Sequence, residues 1–270
     1  MTNHSPELQE VLNLLQKKEK LVAMLAPSFP VDFPYPEIAG KLKRTGFDKV
    51  VEVATGAYET NRQTLLLLLK NPHKRYITSP CPSIVRLIKT KYPHLRQFVA
   101  QASSPMVNTA ILTKEIYPKH RPVFVGPCLT KKLEAKEYPH LKIIVLTFKE
   151  LFQIFDLLNI KDNPKDSSAK FDLVKGHTRL YPLSGGLAES AEINELLSEG
   201  EYEVISGLKE SEEALSRFEK NQNIRLLDIL FCPGGCVSGP GIHSQVPLEK
   251  RREPIIRHWA KYCSRIHNYK

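Results

Sequence analysis

The chain has 270 residues, of which 41% are hydrophobic, and it carries a formal net charge of +10. This length and composition allow a large buried core and exclude an intrinsically disordered chain. Its five cysteines are an odd number at uneven spacings, which argues against a secreted disulfide framework and favours a reducing, cytoplasmic environment. Because the longest apolar run, Leu21 to Ala26, is too short to cross a bilayer and no N-terminal signal pattern is present, no membrane insertion is expected.

The basic charge balance leaves nucleic acid, an anionic cofactor and an acidic protein open as partners, because net charge governs association rather than fold. The densest basic groups, Lys131-Lys132 and Lys250-Arg251-Arg252, stand at predicted helix starts and are not interleaved with aromatic residues. Nucleic acid is therefore the disfavoured partner.

Hydrophobic periodicity and turn residues predict an alternation of helices and strands. Ser5 caps a first amphipathic helix that continues to about Lys20. The polar segment 161–170 is expected to be a surface loop. The predicted strands cover residues 21–26, 49–53, 76–78, 123–125, 142–147, 202–205 and 226–231, and the further helices cover 36–45, 56–70, 82–91, 105–116, 149–158, 184–197, 210–218 and a proline-interrupted 248–266.

Such alternation is typical of parallel sheets covered by helices. We therefore predict an α/β fold in which residues 1–270 form a single domain. This domain is expected to have two lobes of mainly parallel sheet flanked by helices, at approximately 20–160 and 171–247, with the N- and C-terminal helices packed on them.

Two cysteines separated by three residues, Cys232 and Cys236, lie in a glycine-rich loop that follows an apolar, strand-like run. Glycines let such a loop turn tightly and approach a bulky inorganic group, so the pair is interpreted as metal ligands. Two buried, reduced cysteines beside a turn remain an alternative. Zinc is a second alternative, which the absence of any C-x-x-C knuckle from the sequence disfavours.

Two further cysteines, Cys81 and Cys128, each follow a predicted strand and precede a predicted helix. The carboxyl ends of parallel strands are where open α/β sheets place their sites, since the loops converge there and helix N-termini favour negative charge. Together with Cys232 and Cys236 they can form a four-thiolate site. Four thiolates are what a 4Fe-4S cluster needs.

The three cysteine loops resemble, in order and pattern, those of the catalytic H-cluster domain of iron-iron (iron-only) hydrogenases. The family carries T-S-C-C-P, P-C-x-x-K-K-x-E and A-C-P-G-G-C-x-x-G-G-G, and this chain has T-S-P-C-P from Thr78, P-C-L-T-K-K-L-E from Pro127 and F-C-P-G-G-C-V-S-G-P-G from Phe231. Weaker matches are Ser103-Ser-Pro-Met106 and Ser184-Gly-Gly-Leu187. The similarity extends from about residue 20 to residue 241.

The resemblance implies an iron-sulfur oxidoreductase that holds an H-cluster between its lobes. This cofactor combines a 4Fe-4S cluster with a two-iron subcluster that carries carbon monoxide and cyanide, and Cys236 would bridge the two parts. Lys131 would donate a hydrogen bond to a cyanide. By the same resemblance, the metal ligands are Cys81, Cys128, Cys232 and Cys236, and the other residues at the cofactor are Gly185, Gly186 and Ser104.

Several positions depart from the pattern of active family members. Pro80 stands where those members have a proton-shuttling cysteine, and Gly126 replaces a methionine that packs on the two-iron site. No Asp or Glu occurs between Thr60 and Cys81, where the family keeps acidic relay groups. These departures resemble the sensory or regulatory branch, which implies slow reversible dihydrogen oxidation and proton reduction, or sensing of dihydrogen.

The resemblance also implies partners. No ferredoxin-like cluster motif is present, so electrons are expected from an acidic electron-transfer protein such as a ferredoxin, and hydrogenase maturation proteins are expected to supply the cofactor. Two other functions stay open: a 4Fe-4S electron-transfer or scaffold protein without the two-iron subcluster, and a basic protein with a structural metal that binds nucleic acid. Cys263 matches no family position and is expected to be an idle thiol, and His243 is placed outside the site.

Overall fold

The computed structural model describes residues 4–267, with side-chain surroundings up to residue 261. Within this range, parallel strands form two sheets, a four-stranded one in the order β2-β1-β4-β5 and a three-stranded one in the order β3-β7-β6. The strands are β1 (Leu21–Leu25), β2 (Lys49–Glu52), β3 (Tyr76–Ile77), β4 (Arg121–Gly126), β5 (Ile144–Thr147), β6 (Tyr202–Ser206) and β7 (Leu226–Leu230).

Helices alternate with these strands along most of the chain, which confirms the predicted α/β class with parallel sheets flanked by helices. None of the helices in the described range combines the length and the apolar character that crossing a membrane requires. The helices are α1 (Pro6–Gln16), α2 (Glu37–Thr45), α3 (Ala54–Lys70), α4 (Pro82–Lys91), α5 (Pro105–Ile116), α6 (Lys131–Lys136), α7 (Phe148–Leu157), α8 (Gly186–Ser190), α9 (Ile193–Leu196), α10 (Leu208–Lys220) and α11 (Arg252–His267).

The larger sheet is built around β1, in which every residue is buried. Its Ala23 pairs with Val50 of β2 on one side and with Val123 of β4 on the other. A strand that is hydrogen-bonded on both edges and covered on both faces must be apolar throughout, which explains the continuous run Leu-Val-Ala-Met-Leu.

The smaller sheet draws its strands from distant parts of the chain. Tyr76 of β3 pairs with Leu226 of β7, which also pairs with Tyr202 of β6. The sheets therefore cut across the chain division expected near residues 160 and 171, because β3 precedes that point and belongs to the second sheet. The division of residues 1–270 into one domain of two lobes stays a prediction.

Three helix predictions need correction. The first helix ends at Gln16, before the predicted Lys20, and Lys18 already has a positive φ of 54°. The helix expected over 184–197 is two short helices, because Glu192 has a φ of 52° and this left-handed conformation cannot continue a right-handed helix. Pro254 does not interrupt α11, because it lies in the first turn, where backbone N–H groups have no partner within the helix.

The segment 161–170 is not the simple surface loop that its polar composition predicts. Residues Pro164–Ser168 form a 3₁₀ helix against α2, and Asp166 is buried there. Arg44 of α2 holds the Asp166 carboxylate with two hydrogen bonds of 2.8 and 2.6 Å. A side chain at Gly40 would lie 2.5 Å from the Asp166 Cα, so a glycine allows this close contact.

A buried ion pair joins the end of β2 to the chain after residue 170. The Glu52 side chain is fully buried, and its oxygens accept hydrogen bonds from Arg179 Nε at 2.8 Å and Arg179 Nη2 at 2.5 Å. The His258 Nε2 of α11 lies 3.3 Å from the same carboxylate. Burial alone would raise the Glu52 pKa, but the His258 hydrogen bond and the Arg179 charge outweigh it and lower the pKa.

Replacing Glu52 with glutamine tests this pair. The variant leaves the Arg179 charge buried without its counter-ion, so we expect the free energy of unfolding to fall by roughly 3 kcal/mol. Denaturant titration measures the loss. As a control, Glu253→Gln breaks an exposed pair with Arg257 and should change the free energy of unfolding by less than about 0.5 kcal/mol. An equal decrease in the free energy of unfolding for the two variants would contradict a stabilising role of the buried Glu52–Arg179 pair.

Candidate metal centre

An apolar cavity lies where the carboxyl ends of the two parallel sheets meet. Cys81 follows β3, Cys128 follows β4, and Cys232 and Cys236 follow β7. All four line this cavity, together with residues from the loops after β1 and β2. We name it the four-cysteine cavity. The structure thus brings together the four cysteines that the sequence analysis selected, and their role as metal ligands stays a prediction.

The electrostatics of these thiols is dominated by burial and mutual repulsion. Burial, followed by the charges of Cys81 and Cys128, raises the pKa of the Cys232 thiol to about 12. The pKa of Cys236 is raised well above its usual value by burial and by all three other cysteines, although Lys131 lowers it. Thiolates are the metal-binding form, so such a set requires a cationic centre to become deprotonated together.

Backbone N–H groups lie close to the sulfur of Cys81. Burial raises the pKa of its thiol, and the nearby backbone N–H groups of Phe231 and Ile84 oppose this increase. These donors come from the end of β7 and from the first turn of α4. Hydrogen bonds to a cysteine sulfur stabilise negative charge and tune the potential of a bound cluster.

Glycines allow the cysteine loops to come into contact. Gly235 has a φ of 104°, and a Cβ there would lie 2.3 Å from the Pro182 carbonyl oxygen. At Gly239 a Cβ would lie 2.7 Å from the Pro127 carbonyl oxygen. The chain around Cys232 and Cys236 therefore packs its backbone on residue 182 through Gly235, and on Pro127, beside Cys128, through Gly239. No larger residue at these two positions would permit these contacts.

Lys131 is the cation of the four-cysteine cavity. It is only 8% exposed and lines the cavity at the start of α6. Its Nζ donates to the Pro80 carbonyl oxygen at 3.2 Å and to Glu134 Oε2 at 2.6 Å. Lys131, the predicted hydrogen-bond donor, thus lies beside the four cysteines, and its ion pair with Glu134 fixes the position of its ammonium group.

The other predicted cofactor residues do not line the four-cysteine cavity. Gly185 has a φ of 79°, and a Cβ at Gly186 would lie 1.9 Å from the Leu180 carbonyl oxygen. The Ser104 hydroxyl caps α5 by accepting a hydrogen bond from the Val107 N–H at 3.4 Å, and this serine lines a neighbouring cavity of about 370 Å³. Each residue therefore has a packing or capping role, and its predicted contact with a cofactor stays a prediction.

Sequence reasoning missed Ser28. This residue is 1% exposed and lines the four-cysteine cavity in the loop after β1. Within the described part of the chain its Oγ is one of the few buried side-chain polar atoms without a hydrogen-bond partner, although such atoms are normally paired. The available signal was its position in the short loop that follows a buried strand, which the proline-rich composition of residues 27–36 obscured.

Aromatic packing fills the space beside Gly126, the position at which the resemblance places a methionine. A Cβ at Gly126 would lie 2.6 Å from the Phe124 ring and 2.9 Å from the Ala26 Cβ. Phe124 itself lines the four-cysteine cavity, as do Met106 and Tyr181. The ring of Phe124 thus contributes apolar surface where Gly126 has no side chain.

A hydrogen-bond network of mostly neutral side chains joins α3 to the start of α5. Thr60 Oγ1 donates to the Ser103 carbonyl oxygen at 2.9 Å, and the Asn108 amide donates to Thr60 Oγ1 at 3.1 Å. Gln63 accepts from the Ser103 N–H at 2.8 Å and donates to Asn108 at 3.3 Å. These members are neutral groups, in line with the absence of acidic residues from the sequence between Thr60 and Cys81. The network ends at an acid on the other side, because the Gln63 amide also donates to Glu59 at 3.2 Å, and Glu59 is paired with Arg62.

Asp228 is a buried acid near the middle of β7. Its carboxylate accepts hydrogen bonds from the Ala188 N–H at 3.2 Å and from the Thr78 hydroxyl at 3.4 Å. These two bonds do not offset the loss of water, so burial raises the pKa of Asp228 from 3.8 to about 6. The pKa of Tyr181 is also raised, first by burial and then by the Asp228 charge.

The geometry of the site differs from that of a single-ion centre. Among the residues that the structure describes, no group of three or more His, Cys, Asp and Glu side chains is arranged to hold one metal ion. The four cysteines are instead distributed around a shared cavity. A cluster of several irons and sulfides is larger than an ion, so this arrangement fits a cluster better than zinc.

Comparison with known proteins places this geometry in context. The family profile described as iron only hydrogenase large subunit, C-terminal domain, matches residues 19–240. The solved FeFe-hydrogenase HydA1 from Chlamydomonas reinhardtii has a similar fold, with a TM-score of 0.70 at 18% identity over 92% of this chain and 88% of that chain.

The curated relatives that the chain matches are longer than the chain. The NADP-reducing hydrogenase subunit HndD of Solidesulfovibrio fructosivorans is 24% identical over 82% of this chain and 48% of its own length. Iron hydrogenase 1 of Clostridium pasteurianum is 26% identical over 87% and 52%, respectively. The cytosolic Fe-S cluster assembly factor NAR1 of Encephalitozoon cuniculi is 27% identical over 61% and 51%. The chain thus spans about half the length of the curated relatives it matches.

The raised pKa of Asp228 predicts a specific pH dependence of stability. The folded protein prefers the protonated carboxyl, so this contribution is complete below a pH of 3.8 and is lost as the pH rises through about 6. Asp228→Asn has no carboxyl group to ionise, so its stability does not decrease in this way as the pH rises. Its free energy of unfolding relative to the wild type should therefore rise by roughly 2 kcal/mol between pH 4 and 7.

Denaturant titrations across this pH range measure the difference. Asp156→Asn, at an exposed position of α7, is the matched control and should show no pH-dependent difference from the wild type. A difference for Asp228→Asn that stays constant with pH would mean that the buried carboxyl does not titrate in this range.

Proposed function

The chain belongs to the iron-only hydrogenase family, in which it matches the C-terminal domain of the large chain, and from this premise we propose that it binds an H-cluster and either turns over dihydrogen slowly or senses it. The observation that carries this proposal is the convergence of Cys81, Cys128, Cys232 and Cys236 on one apolar cavity. The chain spans about half the length of its curated relatives, so we base the proposed activity on the residues of this chain and not on the relatives.

The donor set fits a 4Fe-4S cluster. Four cysteines from three loops supply the four thiolates that such a cluster takes, and the raised thiol pKa values mean that a cationic centre is needed to hold them deprotonated. The backbone N–H groups that reach Cys81 would stabilise the remaining negative charge. A reducing, cytoplasmic location is part of this proposal, since free thiols persist there.

Two donors are available for the ligands of a two-iron subcluster. The Lys131 ammonium and the Ser28 hydroxyl both belong to the lining of the four-cysteine cavity, and a cyanide is an acceptor that either could bind. Glu134 holds Lys131 in place, and Cys236 would serve as the bridging thiolate. When bound, the H-cluster would supply the redox chemistry of dihydrogen, while the chain supplies its dry, cationic pocket.

Proton supply is the slow element of the proposed function. Pro80 has no titratable proton and no N–H, and its carbonyl oxygen is occupied by Lys131. The nearby side chains of Thr60, Gln63 and Asn108 are uncharged. Residues of this kind can position water but offer no acid with a pKa near neutrality, which supports slow turnover or sensing.

Electrons would enter from an acidic electron-transfer protein such as a ferredoxin. Leu129, next to Cys128, is 51% exposed, and Leu133 is 43% exposed. Leu133 lines the cavity of about 370 Å³ together with the exposed Arg86. An apolar centre with a nearby cation suits a weak, acidic redox partner, and hydrogenase maturation proteins would deliver the two-iron subcluster.

Infrared spectroscopy of protein matured anaerobically with hydrogenase maturation proteins tests the function. Bound carbon monoxide and cyanide should produce bands where protein does not absorb, and dihydrogen turnover should be well below that of relatives with a cysteine at the position of Pro80. Pro80→Cys should increase turnover at equal iron content. Absence of these bands in protein that holds four irons would favour the alternative, a 4Fe-4S electron-transfer or scaffold protein. Fast turnover would contradict the role given to Pro80.

Cysteine substitutions test the ligand set. The anaerobically reconstituted chain should hold about four irons and four sulfides, because this is the content of one cluster with four thiolate ligands. Serine in place of Cys81, Cys128 or Cys232 should reduce the iron content by more than half. Cys263→Ser is the matched control; the side chain of Cys263 lies outside the described residues, and its predicted idle role requires unchanged iron. Equal iron loss in the control would refute the ligand set.

Salt dependence tests the electron partner. The rate of reduction by a ferredoxin should fall as ionic strength rises, since surface charges are screened over a distance of about 10 Å at 0.1 M salt. Arg86→Glu should slow this reaction several-fold at low salt and have a smaller effect at high salt. Lys74→Glu is the control, because this exposed lysine lies just before β3, at the end of the strand away from Cys81. A rate independent of salt and of Arg86 would rule out this docking surface.

A further inference from the structure

A second cavity, of about 600 Å³, shares no lining residue with the four-cysteine cavity. It lies between α11, the proline-rich loop after β1 and the chain around residues 167–179. None of the described residues that line it is an aspartate or a glutamate. Its basic lining residues are Lys170, Arg179, Arg257, His258 and Lys261.

Part of the lining of this second cavity is apolar and aromatic, and we name it the Phe33–Tyr35 wall. It contains Phe33 and Tyr35 with three prolines. The Tyr35 ring stacks on Phe171 with 4.7 Å between the ring centres, and the His258 ring meets Tyr35 edge-on at 5.2 Å. Because these rings hold one another in place, the aromatic part of the lining is fixed before a ligand enters, and Tyr35, which is only partly buried, supplies ring surface for a planar group.

The positive charge of the second cavity is only partly neutralised. Glu52, buried behind it, offsets Arg179, and the exposed Glu253 offsets part of the Arg257 charge. An exposed pair of this kind is weakened by solvent. Within residues 4–261, Lys170 takes part in no ion pair, so its charge is available at the rim. An anion entering the cavity would therefore meet the charge of Lys170 and part of the charge of Arg257.

We propose that the second cavity binds an organic anion that has an aromatic or other planar apolar body, such as a nucleotide or an aryl sulfonate. Its volume lies within the usual range for small-molecule sites, roughly 300 to 1,000 Å³. The cations recognise the anionic group and the Phe33–Tyr35 wall contacts the planar body. The site is independent of the proposed cluster function, because it uses none of the residues of the four-cysteine cavity.

Fluorescence titration of the full chain with anilinonaphthalene sulfonate tests this site, with the uncharged phenylnaphthylamine as a matched probe. The sulfonate should bind saturably, at least about tenfold more tightly than the neutral probe. The double variant Lys170→Glu, Arg257→Glu should weaken sulfonate binding by about tenfold or more, the factor that corresponds to about 1.4 kcal/mol. Ala169→Phe, which adds a ring to the cavity lining, should weaken both probes.

The control is Lys74→Glu, Lys209→Glu, which makes the same change in net charge at exposed positions outside the cavity and should alter the affinity by less than about twofold. Both double variants replace exposed side chains, and thermal unfolding verifies that they fold. Should the rim variant not fold, Ala169→Phe alone decides. Equal affinities in all variants, or equal binding of the two probes, would overturn the proposal.

Discussion

Four thiols that are buried together repel one another once they ionise, and the rest of the structure depends on how this repulsion is managed. Burial and mutual charge raise the pKa values of Cys232 and Cys236, so ionising either thiol in the apolar cavity is unfavourable. A cationic centre held by all four thiolates would remove the conflict. The nearby Lys131 and the backbone N–H groups at Cys81 reduce it further.

This chemistry requires the carboxyl ends of two separate parallel sheets to meet at one point. The loops that carry the cysteines begin where the strands end, so the strand register sets the positions of the cysteines. The close packing of Gly235 and Gly239 on neighbouring backbone then joins the loops. Between the sheets, α3 approaches α5 at Gly56, where a Cβ would lie 2.3 Å from the Pro105 carbonyl oxygen. The site is therefore a property of the interface between the sheets.

The basic character of the chain has at least two separate structural uses. At the four-cysteine cavity the buried Lys131 is held by Glu134, so its positive charge stays beside the cysteines. At the second cavity, several cations surround an aromatic wall in front of the buried Glu52–Arg179 pair. A net charge of +10 by itself distinguishes neither use, because it reports the sum of charges and not their arrangement.

Sequence alone determined the features that depend on local patterns: the alternation of apolar strands with amphipathic helices, hence the α/β class, and the cysteine loops that follow β3, β4 and β7. It also located Lys131 next to Cys128. Only the tertiary structure decided that β3 joins the second sheet, that Asp166 is buried against Arg44, and that Ser28 faces the cysteines while Gly186 does not. These outcomes depend on contacts between residues far apart in the chain, and periodicity along a segment carries no information about which distant backbone will pack against it.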